Sequence, residues 1–447
     1  MVNSNVFKRS YWFDAIDNSH LVVFRIFYGF LCFAEGFGAI LTGWLKANFV
    51  DPTFHFNFIG FEFLNVFMGE TMYYLYAIMG IMGLLVMIGW RYRLHMILIS
   101  IIWTISYFAQ KTSYNNHYYF IFLLNWVMVF LPVNTYYSMD VKQGRVEESQ
   151  VCPRWTVLFF IFQMWIIYTY ASIAKLYPGW LNADPINLWF SHKGDYPIIG
   201  WLLVQEWFQY KVAWGGVLFD GLIVPFMLWK KTRKYAFAIS VFFHLSNSAI
   251  FQIGVFPYMM LALSIFFFEP EEIRQRFLKW KPQLSVETLK AKTFEFAPIT
   301  FTVLMIYLAV QVALPLRHHL YEGEVLWNEE GHRLAWRMML RSKSGTIHFR
   351  LEDVDTGEKW KVFPNEHLTP KQIRKMATRP PQIWQYTQYL KKLYAKEGKT
   401  VRIFAESHVR LNKRPRQRFV DNTVDFAQVK WHRFKHSDWI LPLNEVE

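Results

Sequence analysis

The chain has 447 residues, of which 53% are hydrophobic, 19% aromatic and only 18% charged, with a formal net charge of +14. A disordered chain does not carry 43 Phe, 24 Tyr and 20 Trp, and two cysteines, Cys32 and Cys152, exclude a disulfide-rich secreted scaffold. A mean hydropathy of only +0.11 is too low for a uniformly apolar transporter, so the average joins two unlike regions.

Taken in chain order, apolar runs of membrane-spanning length fill residues 20–45, 72–89, 94–110, 118–134, 155–177, 213–229, 235–250, 254–268 and 298–316. From Leu316 onward no run reaches the roughly 20 residues demanded by a hydrocarbon core about 30 Å thick. The stretch 235–268 is too long for one span and contains His244, Ser246, Asn247, Ser248 and Gly254, so it reads as two helices joined by a short turn. The expected fold class is a polytopic α-helical membrane protein of about nine transmembrane helices (residues 1–316) with a C-terminal β-rich soluble domain (residues 317–447). Charge at Lys8 and Arg9 precedes a first run too long for a signal peptide, which is therefore expected to be kept. On a nine-span path Lys8, Arg9, Arg91, Arg93, Lys142, Arg145, Arg154 and the cluster around Lys230 to Lys234 fall on one side. The other side has only scattered cations. The positive-inside rule then puts the N-terminus in the cytoplasm and the C-terminal domain outside.

Beyond residue 317 the pattern changes period. AWRMMLRS alternates Trp336, Met338 and Leu340 and reads as a strand, and TIHFRLEDVDTGEKWKVF reads as two strands around an Asp-Thr-Gly turn. Thr369 followed by Pro370 opens a helix, a helical pattern resumes after Pro380 and Pro381 until Gly398, and TVRIFAESHVRLN is a further strand. The basic residues are dispersed, which fits a solvated surface near anionic lipid and not a nucleic-acid site.

A charge at membrane depth is costly and has a partner or a task. The threading places His117 at the start of the fourth span, Lys175 at the end of the fifth, Asp220 two turns into the sixth and His244 in the seventh. All four lie at similar depth on the side of the soluble domain and read as one polar pocket. Each also has a plainer reading: Lys175 can snorkel to the interface, and His117, with Asn115 and Asn116, can cap a helix start. His244 can belong to an interhelical hydrogen-bond set, and Asp220, like Arg25 and Glu35 of the first span, can pair with a neighbouring helix. His117 and His244 lack a ligand-spaced companion on their own helices, so no metal is expected, and neither a G-x-S-x-G elbow nor a Gly-rich phosphate loop is present. Acid/base chemistry by a desolvated amine remains, directed at a weakly acidic, lipid-soluble phenol.

KTSYNNHYYFIFLL (Lys111 to Leu124), YASIAKLYPGWL (Tyr170 to Leu181) and FFHLSNSAIFQIGVFPYMMLA (Phe242 to Ala262) resemble the vitamin K-dependent γ-glutamyl carboxylase family, whose membrane part is called the horizontally transferred transmembrane domain. ALPLRHHLYEG (Ala313 to Gly323), WRMMLRS (Trp336 to Ser342) and the run from Arg414 to Leu443 resemble its soluble domain, so the likeness covers nearly the whole chain. The resemblance implies a reaction with reduced vitamin K, O2 and CO2 as co-substrates and no metal. A lysine deprotonates the hydroquinone, oxygen adds, and the strongly basic alkoxide that results removes a γ-proton from a protein glutamate. The carbanion captures CO2, leaving γ-carboxyglutamate and vitamin K epoxide. Lys175 stands at the position of that lysine, and His117, beside Asn116, stands at a position associated with catalysis. His244 lies in a matching motif with a less defined role. Residues 1–316 then form the catalytic domain, and residues 317–447 present the substrate.

Arg414, Arg416 and Arg418 alternate, so on an extended segment they share a face suited to a carboxylate; Arg414 and Arg418 match basic positions of the family motif, and a solvated basic edge strand is the plainer reading. The chain departs from the family at Ala174, where a second lysine often stands, and at Arg341, where the animal enzymes have a histidine. The animal enzymes run longer at the C-terminus, and the absence of their paired cysteines and of a retention tail favours a bacterial plasma membrane as the setting. The alternatives are a quinone epoxidase without protein carboxylation and a non-catalytic membrane receptor of lipid or protein.

Overall fold

The computed structural model describes residues 8–292 and 294–444. Nine apolar helices follow one another: α1 (Ser19–Leu41), α2 (Thr71–Ile88), α3 (Tyr92–Ala109), α4 (Asn116–Phe130), α5 (Trp155–Ile173), α6 (Glu206–Leu228), α7 (Arg233–Phe251), α8 (Phe256–Leu263) and α9 (Pro298–Leu316). Among the described residues six of them, α1, α2, α3, α5, α6 and α9, are long and apolar enough to cross a membrane. The other three fall short for a local reason. Helix α4 has 15 residues, α8 continues only as a 3₁₀ turn to Phe267, and α7 carries Arg233, Lys234, His244, Ser246, Asn247 and Ser248. Helix α6 begins at Glu206, earlier than the apolar run at 213, because EWFQYKV is itself helical; Asp220 is accordingly deeper along it than expected.

Glycines set the closest helix contact. A Cβ on Gly83 of α2 would lie 2.6 Å from the Phe33 amide nitrogen and 2.7 Å from the Gly29 carbonyl oxygen of α1, and one on Gly36 would lie 2.7 Å from the Tyr76 carbonyl oxygen. Small residues are what allow two backbones to approach in lipid, where burial of apolar surface contributes little. Arg25 of α1 is buried and donates to the carbonyls of Val133 (2.9 Å), Tyr136 (3.1 Å) and Tyr137 (2.5 Å), which satisfies both the guanidinium and the chain leaving α4. At the same end, β1 (Ala15–Asp17) pairs antiparallel with β2 (Val151–Pro153). The buried Lys281 ammonium there donates to Asp17 (2.8 Å), Asn18 (2.6 Å) and Ser19 (3.1 Å).

At the opposite end sits the C-terminal domain, an antiparallel sheet of β3 (Lys343–Asp353), β4 (Lys359–Val362), β5 (Val401–Leu411) and β6 (Gln417–Arg418) in the order β4-β3-β5-β6. The expected hairpin is present: the Asp353 carboxylate accepts from the amides of Asp355 (2.9 Å) and Thr356 (3.0 Å), and Gly357 takes φ +71°. Helix α10 (Pro370–Met376) opens with a reciprocal capping box between Thr369 and Gln372, and α11 (Pro380–Lys396) packs on β5. WRMMLRS is not the expected strand. Leu334, Trp336 and Met339 have positive φ, and the alternation serves two cores: Trp336 inserts among the membrane helices against Tyr119 and Phe120, while Leu340 joins the sheet core.

The link between α1 and α2 belongs to both parts. Phe56 is fully buried in the sheet core, and the Phe54 ring lies 4.8 Å from that of Tyr389. Gln372 donates to the Phe54 carbonyl (2.6 Å), Gln385 to the Asn57 carbonyl (2.8 Å) and Lys371 to the Asn48 side chain (2.7 Å).

Gly83→Ala therefore forces apart α1 and α2 and is expected to destabilise the protein by about 1–3 kcal/mol. Gly38→Ala, with nothing within 4 Å of its Cβ, is the control. Thermal melting in detergent distinguishes them, and equal melting temperatures would contradict the close approach.

Candidate active site

Helix α5 ends because Pro178 follows Tyr177 and opens the short helix Pro178–Leu181. Lys175 lies in the turn between them, and its ammonium folds back to donate to the Ala171 carbonyl (3.2 Å) at the C-terminal end of its own helix. It also donates to, and forms an ion pair with, the Asp220 carboxylate of α6. Lys175 is 7% and Asp220 6% exposed, so both charges are withdrawn from solvent and balance each other. The lysine is thus not alone in low dielectric. The Lys175 stem and the Trp180 ring pack against α6 at Gly216, one turn before Asp220, where a Cβ would lie 3.9 Å from Lys175 Cε and 3.5 Å from the Trp180 ring, both ordinary contact distances. Trp180 is fixed by a bond from its indole N–H to the Ala213 carbonyl (2.9 Å), with its ring centroid 5.4 Å from the ammonium. Ser172 ties α5 to α6 through the Val217 carbonyl (2.9 Å).

His244 of α7 is buried and bonded through Nε2 to the Tyr168 hydroxyl of α5 (2.9 Å). Its ring stands edge-on to Phe219, the neighbour of Asp220. His117 is buried at the start of α4, stacked on Phe256 of α8 with centroids 3.9 Å apart and planes 20° apart. It is near enough to His244 for a charge on one to be felt by the other. Asn115, not His117, is the helix cap, accepting from the Tyr118 amide (2.8 Å). Asn116 is turned to the segment before β3: it donates to the Arg337 carbonyl (2.9 Å) and accepts from the Tyr114 hydroxyl (2.9 Å). Lys175, Asp220 and His244 are linked through facing helices, and Asn116 and His117 flank them.

The C-terminal domain covers this region. The Tyr177 hydroxyl donates to the Leu340 carbonyl, Asn412 of the turn after β5 donates to Tyr177 (3.4 Å), and Lys413 approaches Asp184 at 3.6 Å. Arg414 and Arg418 are both exposed and do not share one strand face. Arg414 lies in the turn, 3.9 Å from Glu324, while Arg418 is in the two-residue edge strand β6 and donates to Asn422 (3.3 Å). Among the described residues no group of three His, Cys, Asp or Glu side chains is arranged to hold a metal ion.

Sequence reasoning left Tyr168, Tyr177 and Trp180 unassigned, although the last two stand within the run containing Lys175. Asp220 reads from the sequence as a structural pair without its partner; Gly216, four residues before it, puts a small residue and a carboxylate on one helix face, the available signal that another side chain packs there. Glu329 was not singled out at all. Its buried carboxylate pairs with Arg341 and lies 3.6 Å from Lys343, and this cluster anchors the segment that Asn116 holds. Burial alone would raise the Glu329 carboxyl, but Arg341 and Lys343, with His332 and Arg379, outweigh it and hold it well below the usual carboxylate range. Burial pushes the Lys343 amine down to about 7 despite that carboxylate.

A family model described as HTTM domain matches residues 13–271, and one described as vitamin K-dependent gamma-carboxylase, lumenal domain, matches residues 296–446. No solved structure matches the chain.

Glu329→Gln leaves Arg341 and Lys343 without their counter-charge and is expected to cost about 3–5 kcal/mol at pH 7. A carboxyl depressed in the folded state stabilises fully above its unfolded value of about 4.3 and loses that contribution as pH falls towards the folded value. The melting difference between wild type and variant should accordingly shrink below about pH 4; a difference constant with pH would contradict the ion-pair role.

Proposed function

Since the chain belongs to the HTTM family and, through its second domain, to the vitamin K-dependent gamma-carboxylase branch of it, we propose that it is a vitamin K-dependent gamma-glutamyl carboxylase. It would convert protein glutamate to γ-carboxyglutamate with coupled oxygenation of reduced vitamin K to its epoxide. The observation that carries this reading is the buried Lys175–Asp220 pair beside Trp180, lying directly beneath the matched carboxylase domain. In this reading residues 1–316 are the catalytic part and residues 317–447 present the substrate. The N-terminus is cytoplasmic, the C-terminal domain is outside, and the setting is a bacterial plasma membrane.

The donor set suits a flat, largely apolar hydroquinone. Indole and phenyl faces of Trp180 and Phe256 stand near an amine and an imidazole that can each meet a phenolic oxygen. Reduced vitamin K, when bound, supplies with O2 the basicity that no side chain has, so that the γ-carbon of glutamate can take up CO2 with release of epoxide and water. Lys175 removes the phenolic proton. To do so it must give up its own, and Asp220 is the carboxylate within reach: moving one proton from amine to carboxylate keeps the net charge at zero and replaces a buried ion pair with two uncharged groups, a change that low dielectric favours. His117, with Asn116 beside it, would hydrogen-bond an oxygen of the bound hydroquinone, and His244 keeps Tyr168 and the α5–α7 contact in place. Arg414 and Arg418 receive the acidic peptide at the rim.

The test supplies purified protein with reduced vitamin K, O2, labelled bicarbonate and a glutamate-containing peptide, and records peptide label and epoxide together. Both products are expected. Absence of both would overturn the enzyme reading, and epoxide without label would replace it with a quinone epoxidase. Lys175→Ala should lower both by roughly 100- to 10,000-fold while the protein stays folded. Asp220→Asn should lower both by a smaller factor, on the order of 10- to 100-fold; unchanged rates would remove it from the proton path.

A further inference from the structure

From the start of α7 to the chain beyond α8 the protein carries six cations: Arg233, Lys234, Arg274, Arg276, Lys279 and Lys281. Three are satisfied within the protein. Arg233 is buried, donates to the Met227 carbonyl (3.0 Å) and lies 3.5 Å from Glu269. Arg274 donates to Glu271 (2.8 and 2.7 Å) and to the Lys281 carbonyl (2.6 Å), and Lys281 is paired with Asp17. Lys234, Arg276 and Lys279 are exposed and form no ion pair among the described residues, yet all three line one cleft of about 970 Å³. Glu272 is the only carboxylate among the residues lining it, so the cleft keeps an excess of positive charge. Its wall is aromatic: Phe237 of α7 stands edge-on to Phe268, with ring centroids 5.3 Å apart, and Phe277 ends the short helix Pro270–Phe277 edge-on to Phe27 of α1 (5.7 Å). The cleft lies at the membrane end remote from the C-terminal domain, where the neighbouring Tyr235 and Trp280 are exposed as aromatic residues are at a bilayer boundary.

We propose that this cleft binds an anionic phospholipid of the adjoining leaflet, its phosphate among Lys234, Arg276 and Lys279 and its acyl chains running past Phe237 along α7. Cations gathered without a counter-charge repel one another, and a phosphodiester supplies the missing negative charge on oxygens that Lys and Arg meet with charge-assisted hydrogen bonds. Free phosphate would satisfy the cations alone. The aromatic wall, continuous with the exposed apolar face of α7 at Ile239 and Phe242, favours a ligand that also carries hydrocarbon. A headgroup held there ties the first turn of α7 to the chain leaving α8, the two helices that carry His244 and Phe256 to the candidate active site. Binding of this kind is independent of the carboxylase reading.

The test follows thermal melting of the full-length, delipidated protein in detergent during titration with phosphatidylglycerol, phosphatidylcholine or inorganic phosphate. Phosphatidylglycerol should raise the melting temperature saturably, and less so in high salt, while phosphatidylcholine should not. Replacing Lys234→Gln, Arg276→Gln and Lys279→Gln together should weaken phosphatidylglycerol on the order of 100-fold, roughly fivefold per cation. Lys8→Gln, Lys142→Gln and Lys231→Gln together remove the same charge from the same membrane end outside the cleft, and should leave the titration unchanged. Equal weakening in both triple variants would mean diffuse attraction to the surface, and an equal response to phosphatidylcholine would mean a general effect of lipid. A rise with inorganic phosphate matching that with phosphatidylglycerol would mean a site for the free ion; each of these outcomes overturns the assignment. If the cleft variant does not fold, Arg276→Gln alone, on the exposed face of its helix, should weaken binding about fivefold, and unchanged affinity there overturns it as well.

Discussion

A single charge in a hydrocarbon-like interior costs several kcal/mol, and the candidate site is organised around meeting that cost at Lys175. Asp220 supplies the opposite charge, Ala171 an acceptor and Trp180 an aromatic face, so the ammonium is satisfied without water. Everything that brings these groups together follows from the pairing. Pro178 ends α5 so that the lysine can turn back, its stem packs against α6 at Gly216, and Ser172 pins one helix to the other. Without the carboxylate the amine would have to neutralise or reach for the interface; without the amine, Asp220 would be a bare acid among Phe219 and Tyr168.

The three helices that fall short of a plain membrane-crossing helix all contribute to this site, beside α5 and α6. Helix α4 brings His117, α7 brings His244 and α8 brings Phe256. Shortness and polarity are tolerated because α1, α2, α3, α5, α6 and α9 supply the long apolar surfaces. Irregular backbone at membrane depth is acceptable where protein, not lipid, surrounds it. The C-terminal domain completes that surround, with Trp336 reaching down among the helices and Tyr177 reaching up to the Leu340 carbonyl.

Much of this was legible in the sequence where a local rule decides the outcome. Asp353 and Gly357 specify a turn by their own backbone preferences, and Thr369 with Gln372 specifies a helix start. Lys175, His117 and His244 stood out because ionisable groups are rare in apolar runs. What stayed hidden depends on which surfaces meet. The alternation in WRMMLRS is real but answers to two cores on opposite sides of an irregular segment, and period alone cannot distinguish that from a strand. Pairing of Lys175 with Asp220, rather than with Glu35, depends on how α5 crosses α6. The run around Phe54 and Phe56 is apolar but lies between the spans that were read, and nothing local says that it completes a domain nearly 300 residues away.

That shared core has a consequence for biogenesis. Phe54 and Phe56 leave the ribosome early, yet the sheet that buries them is built from residues after Lys343. During synthesis they wait at the membrane surface while the remaining helices insert, and the sheet lacks part of its interior until it closes over them. Closure thus reports that the α1–α2 link and the C-terminal domain are on the same side and that the bundle between them has formed. A chain stalled or mis-threaded midway displays two unburied phenylalanines, the kind of apolar signal by which quality-control machinery recognises an unfinished protein.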